Sequence, residues 1–200
     1  MFIFGIDIKA FFAAIASIIV ISAYIPYLTS MLSGRTQPHV YTWLIWTLTT
    51  GTASAGLWYG NGGYGVVSQT IGAVLTFLFF LLSFRYGTKN ITRSDTIVLI
   101  LAFLAIGVWW QLHQPLLAIV MVSLIDMLGY IPTYRKSWQE PWSESMSSWL
   151  LWLFYGFFVV LSLENYNSLT LTFLLAALAA NCILITLLLV RRRTVPKPVS

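Results

Sequence analysis

Asp126 stands in the middle of the apolar run LLAIVMVSLIDMLGYIP, residues 116–132. If a helix begins near Pro115, this acid lies about eleven residues in, roughly 16 Å along the axis. An ionised carboxylate at such a depth in a bilayer is expensive. It must face a cavity, find a partner or hold its proton. Two readings follow. Asp126 is a proton-coupling or substrate-binding carboxylate, or it is a protonated acid that hydrogen-bonds between helices. No Lys or Arg falls at the same depth, so an ion pair is not expected.

Other polar and aromatic side chains share these apolar segments. Gly65, Gln69, Gly72, Thr76 and Ser83 recur at helical spacing and form one face. Gln69 and Thr76 are positioned either to line a pathway or to act as hydrogen-bonding contacts in a packing seam. Trp46 and Trp152 each lie one turn deeper than Trp43 and Trp149. An indole there either stacks on a sugar or heterocycle or packs in an aromatic core. Trp43 and Trp149 are expected in the interfacial belt, as are Trp58, Trp109, Trp110, Trp138 and Trp142. Cys182 is the only cysteine, which excludes an intrachain disulfide and a cysteine metal cluster, and it reads as a packed small residue. His39 and His113 fall at opposite ends of the expected topology, so they share no metal. The chain has no nucleotide-binding loop, HExxH pair or nucleophile elbow, and no cofactor is expected.

The elements that carry these residues follow from composition. Of 200 residues, 58% are hydrophobic and 8% are charged, and mean hydropathy is +0.82. A soluble domain carries roughly a quarter charged residues. The sequence therefore reads as an all-α integral membrane protein whose first partner is the lipid bilayer. Residues 1–23 lack a basic leader, since Asp7 and Lys9 cancel, and they read as a retained span. Seven apolar segments can be drawn, at 9–29, 40–59, 64–84, 95–111, 114–134, 146–163 and 168–190. Gly-Asn-Gly-Gly at 60–63 and Glu-Asn-Tyr-Asn at 164–167 read as tight turns. With seven spans, ten of the eleven Lys and Arg residues fall in loops or the tail on one side, and only Lys9 falls elsewhere. By the positive-inside rule the N-terminus is outside and the C-terminus cytoplasmic, in a multi-pass cell-membrane protein. The net charge of +5 belongs to these loops, and no nucleic acid is expected as a partner.

A shift of 106 residues superposes the chain on itself. Tyr24-Ile25-Pro26 falls on Tyr130-Ile131-Pro132, Trp43 and Trp46 on Trp149 and Trp152, Asn61 on Asn167 and Arg85 on Arg191. Residues 9–84 are then one three-helix repeat and 114–190 a second. Residues 95–111 form a linker helix that makes the two repeats parallel, and 191–200 form a basic tail. Pro26 and Pro132 occupy matching places near the inner helix ends, as paired hinges or as static kinks. Asp126 breaks the symmetry, since its counterpart is Val20.

The 3+1+3 plan resembles the SWEET and PQ-loop superfamily, to which the PnuC-type vitamin transporters are related. The resemblance covers about residues 10–193 and rests on Pro26, the loop Gly34-Arg35-Thr36-Gln37-Pro38, the Trp-bearing second helix, and their repeats at Pro132, Trp138-Gln139-Glu140-Pro141 and Trp149. The family's Pro-Gln signature is Pro26-Tyr27 and Pro132-Thr133 here. The resemblance implies a substrate site between the repeats and an inner gate closed through the prolines. It also implies an Asn contact on the seventh helix, which Asn181 matches by type, with Gln69 as a loose match on the third. The expected function is alternating-access transport of a small polar solute such as a sugar, amino acid or vitamin. Trp46, Trp152, Gln69 and Asn181 would be substrate contacts, Asp126 the proton-coupling site, and Pro26 and Pro132 the hinges. The rival class is a binding or sorting receptor of the same fold. An intramembrane enzyme is not expected, because Asp126 has no paired acid or base. A homo-oligomer is left open.

Overall fold

Four of the apolar segments begin on a side chain that caps a helix. A computed structural model of the protein describes residues 2–3, 6–34, 38–87, 93–142 and 144–196, without the side chains of 2–3, 6, 30, 94–95, 112, 131–132 and 135–136. Among these residues the helices are α1 (Ile8–Leu32), α2 (Val40–Tyr59), α3 (Tyr64–Tyr86), α4 (Arg93–Leu112), α5 (Pro115–Gln139), α6 (Met146–Ser162) and α7 (Ser168–Thr194). Asp7, His39, Ser145 and Asn167 accept backbone N–H groups at the starts of α1, α2, α6 and α7. α5 opens on Pro115, whose missing N–H is harmless in a first turn. The remaining regular structure is a two-residue antiparallel pairing of Phe2–Ile3 with Ile6–Asp7.

Three helices are long and apolar enough to cross a membrane, over Ile8–Thr29, Tyr64–Tyr86 and Ser168–Thr194. Thr96–Gln111, Pro115–Tyr130 and Met146–Ser162 are apolar but shorter. α2 carries no charge, yet its middle is rich in hydroxyls. Those hydroxyls are used within the protein. Thr47 Oγ1 donates to the Trp43 carbonyl at 2.7 Å, Thr50 Oγ1 to the Trp46 carbonyl at 2.6 Å, and Ser54 Oγ meets Thr70 Oγ1 on α3 at 2.6 Å. Such internal pairing is what a helix away from water requires.

α3 packs between α1 and α2, and α7 packs between α5 and α6. The two triplets meet through α1 on α6 and α2 on α5, with α3 touching α6 and α2 touching α7. Every one of these pairings has a counterpart when α1, α2 and α3 are exchanged for α5, α6 and α7. Local geometry corresponds too. Tyr24 lies 6.2 Å from Trp43 at 48°, and Tyr130 lies 5.9 Å from Trp149 at 49°. α4 packs on α5 and α2.

The end of the bundle that carries the two tight turns is sealed. Glu164 N–H donates to the Gly62 carbonyl at 3.1 Å, Asn165 Nδ2 to the Asn61 carbonyl at 2.9 Å, and Asn167 Nδ2 to the Gly60 carbonyl at 2.8 Å. Gly63 has φ +63, and a Cβ on it would run into Glu164. Lys9 Nζ at the start of α1 donates to the Leu161 carbonyl of α6 at 3.0 Å and to the Tyr166 hydroxyl at 2.7 Å. Just inside this clasp, Gly56 of α2 lies against Ile119 of α5 with no space for a methyl group.

Asn167 does two jobs, since its Oδ1 also caps α7 in a capping box with Thr170. Asn167→Ala is expected to lower the unfolding free energy by about 1–2 kcal/mol, and Asn165→Ala by about half of that. Chemical denaturation of the purified protein in micelles measures both. An Asn167→Ala protein as stable as wild type would mean that this contact does not hold the sealed end together.

Candidate functional site

α5 buries one face for its first two turns and then opens on that same face. Ala118, Ile119, Val122, Ser123 and Ile125 are buried. Asp126 lies two turns after Ile119 on the same side of the helix, and it is only partly covered. Gly129, also on this face, is exposed, and a Cβ there would meet nothing within 4 Å. α2 repeats the pattern in reverse. Ala53 has no accessible surface, while Trp46, two turns earlier on the same side, is 40% exposed. Along both helices this face is buried near the clasp and less covered beyond it.

The Gly56–Ile119 contact sets the register of the two antiparallel helices. Seven residues back from Gly56 is Thr49, and seven on from Ile119 is Asp126, so these lie level. Trp46 and Tyr130 come level about one turn further from the clasp. Arg35, Lys89 and Lys197 lie outside the described residues.

Tyr130 joins α5 to α7. Asn181 Nδ2 donates to the Tyr130 hydroxyl at 3.1 Å and to the Ala177 carbonyl at 3.1 Å. Asn181 Oδ1 is buried and has no hydrogen-bond partner among the described residues. One turn on, the Tyr134 hydroxyl donates to the Ala180 carbonyl at 2.9 Å. Asp126 is one turn before Tyr130 and accepts no hydrogen bond from the described residues. At the equivalent place in the other triplet, Val20 is fully buried.

Of the four candidate substrate contacts, Gln69 and Trp152 share Tyr155 as a neighbour, Trp46 meets Trp43 edge-on at 5.3 Å, and Asn181 holds Tyr130. Gln69 is buried and accepts the Tyr155 hydroxyl at 3.1 Å. The hydroxyl also lies 3.3 Å from the Ser68 carbonyl, and Gly72 leaves room for its approach. Trp152 meets Tyr24 and Tyr155 edge-on, at 5.6 and 5.8 Å, in the aromatic core. That core continues through Trp43, stacked on Phe79 at 4.8 Å. Trp43 is therefore a core residue, 5% exposed, rather than a belt residue. Tyr27, which follows Pro26 where the resembled family has Gln, packs on Trp43 and Phe79 at 5.2 and 5.4 Å.

Both helices with a repeated proline run on past it. Pro26 is exposed on α1, and its carbonyl accepts Thr29 Oγ1 at 2.9 Å. The side chain of Pro132 lies outside the described residues. Cys182 is not packed as expected. It is exposed in an outward groove with Trp138, Thr186 and Arg191. Tyr130 and Tyr155 were not singled out by sequence reasoning. The signal for Tyr130 was its place one turn after Asp126 within the second Tyr-Ile-Pro, whereas nothing local marks Tyr155.

Tyr155→Phe would leave Gln69 Oε1 without this donor in a buried site, at an expected loss of about 1–2 kcal/mol of stability. Trp46→Phe, at a half-open position, is expected to change stability by less than about 0.5 kcal/mol. Melting curves of the two variants give the comparison, and the reverse order would contradict the division into buried core and partly covered face. No protein-family model matches the chain, and no curated protein or solved structure matches it either.

Proposed function

We propose that the chain is a seven-span membrane transporter for a small polar solute, built as two parallel three-helix repeats in the manner of the SWEET and PQ-loop proteins. One observation carries this reading. Two triplets with corresponding packing are joined at one end. Transport by alternating access needs a site between repeats that is reached from one side at a time. The positive-inside rule puts the basic end in the cytoplasm and the clasp outside. On this reading Trp46 and Tyr130 border the solute path, and Asp126 is the coupling site. Pro26 and Pro132, at matching depths in α1 and α5, are the hinges.

A receptor of the same fold is the second reading. What favours it is the aromatic packing of Tyr24, Trp43, Phe79, Trp152 and Tyr155, which fills the middle of the bundle.

Reconstituted vesicles separate the two. The wild-type protein is expected to move a labelled solute from a panel of sugars, amino acids and vitamins down its gradient. Asp126→Asn is expected to slow accumulation driven by a proton gradient by at least about tenfold. Lys9→Ala combined with Asn165→Ala, which loosens the clasp, is expected to raise accessibility of a cysteine placed in the α2–α5 seam to a membrane-impermeant reagent added outside. Stable solute binding with no flux in any condition would favour the receptor.

A further inference from the structure

α7 leaves the clasp at Ser168 and carries Arg191, Arg192 and Arg193 in its last turn. The three arginines are used differently. Arg192 is spent inside the protein. Its Nε donates to the Pro141 carbonyl at 3.0 Å and its Nη2 to the Glu144 carbonyl at 2.7 Å, with the guanidinium 4.8 Å from the Trp142 ring. Arg191 is half used. Its Nε donates to the Trp138 carbonyl at 2.8 Å and its Nη1 to Thr194 Oγ1 at 3.3 Å, and the guanidinium lies over the Trp138 ring at 4.6 Å. Its Nη2 has no acceptor among the described residues. Arg193 is exposed and has no partner among them.

An outward groove leads to these two side chains. It runs along α7 from Cys182 to Val190, over Ile183, Thr186 and Leu187, and Trp138 of α5 walls it. Eight residues of helix span about 12 Å. Arg193 comes three turns after Cys182 and Arg191 one turn after Leu187. They therefore stand on opposite flanks of the groove where it reaches the basic end. An apolar length that ends between two cations matches the two parts of an anionic phospholipid. A guanidinium held against an indole face offers a phosphate a pre-placed edge of donors. Anionic lipids are abundant in the cytoplasmic leaflet, where the positive-inside rule puts this end. A second copy of the chain fits less well. Copies in one membrane share an orientation, so a two-fold contact through this face would bring four like charges together. The first half lacks the arrangement, since the counterparts of Trp138, Arg191 and Arg193 are Leu32, Arg85 and Gly87. We propose that this groove binds one anionic phospholipid of the membrane, with its phosphate on Arg191 and Arg193 and an acyl chain along α7. The proposal rests on the chain spanning a membrane and not on transport.

Native mass spectrometry of the full chain released from micelles tests it. The probes are phosphatidylglycerol and phosphatidylcholine with the same acyl chains, at constant ionic strength. Wild type is expected to hold one phosphatidylglycerol at least about tenfold more tightly than phosphatidylcholine. Arg193→Ala, which disturbs no contact among the described residues, and Arg191→Ala are each expected to reduce that preference by about 3–10-fold. Arg85→Ala removes a charge from the same end and is expected to leave the preference within about twofold of wild type. Thr186→Trp fills the groove with both arginines in place and is expected to weaken phosphatidylglycerol by about tenfold. Melting curves of each variant separate lost binding from lost folding. Equal binding of the two lipids, an Arg193→Ala protein with wild-type preference, an equal loss in Arg85→Ala, or unaltered binding in Thr186→Trp would each overturn the proposal. So would full displacement of the lipid by equimolar inorganic phosphate, which would make the site one for free anions. A wild-type dimer that Thr186→Trp makes monomeric would give the groove to a second copy. Lipid bound only after removal of residues 197–200 would give it to the tail. Either result would overturn the proposal.

Discussion

Two short turns, about a hundred residues apart, hold each other through one backbone N–H and two asparagine side chains. The carbonyls of Gly60, Asn61 and Gly62 each receive a donor from the segment Glu164–Asn167. A helix hairpin exposes carbonyl groups at its turn, and with few charges nearby these groups must find partners. Here the partner turn supplies them. The same contact brings Gly56 against Ile119 and sets the register of α2 on α5. That register places Thr49 level with Asp126 and Trp46 level with Tyr130. Each hydrogen bond of this kind contributes only about 0.5–1.5 kcal/mol.

From the clasp the two halves diverge in how they fill the seam. Around α1 and α6, Val20, Tyr24, Trp152 and Tyr155 pack into a continuous aromatic core. Around α2 and α5, the equivalent of Val20 is Asp126, which is only partly covered. Replacing a buried aliphatic side chain by a carboxylate removes packing and adds a group that must be solvated or paired. The hydroxyl and amide groups nearby are used within the protein: Thr49 and Ser123 meet backbone carbonyls, and Asn181 donates to the Tyr130 hydroxyl and the Ala177 carbonyl.

How much of this was legible beforehand differs by scale. The tight turns at 60–63 and 164–167 and Pro115 at the start of α5 are local signals, and helices lie over each apolar segment. α5 runs on to Gln139, beyond its apolar stretch, because its polar last turns hold against α7: Arg191 Nε donates to the Trp138 carbonyl at 2.8 Å. The small and polar stripe of α3 was also readable, since Gly65, Gln69, Gly72, Thr76 and Ser83 are all buried. Trp43 and Cys182 were misplaced. A tryptophan near a helix end has the same local pattern whether it meets lipid headgroups or a facing ring, and the ring of Phe79 comes from another helix.

The sequence by itself determined that the chain is helical, roughly where its helices lie, and that its basic residues fall in the connections between them and the tail. These follow from hydrophobic runs, turns and charge counts, which are properties of neighbouring residues. The tertiary structure alone decided which turn clasps which, that Tyr155 occupies Gln69, and that Asn181 of α7 holds Tyr130 of α5. Those are contacts between helices far apart in the chain. Their outcome depends on how side-chain shapes fill a shared volume, and no single helix records that.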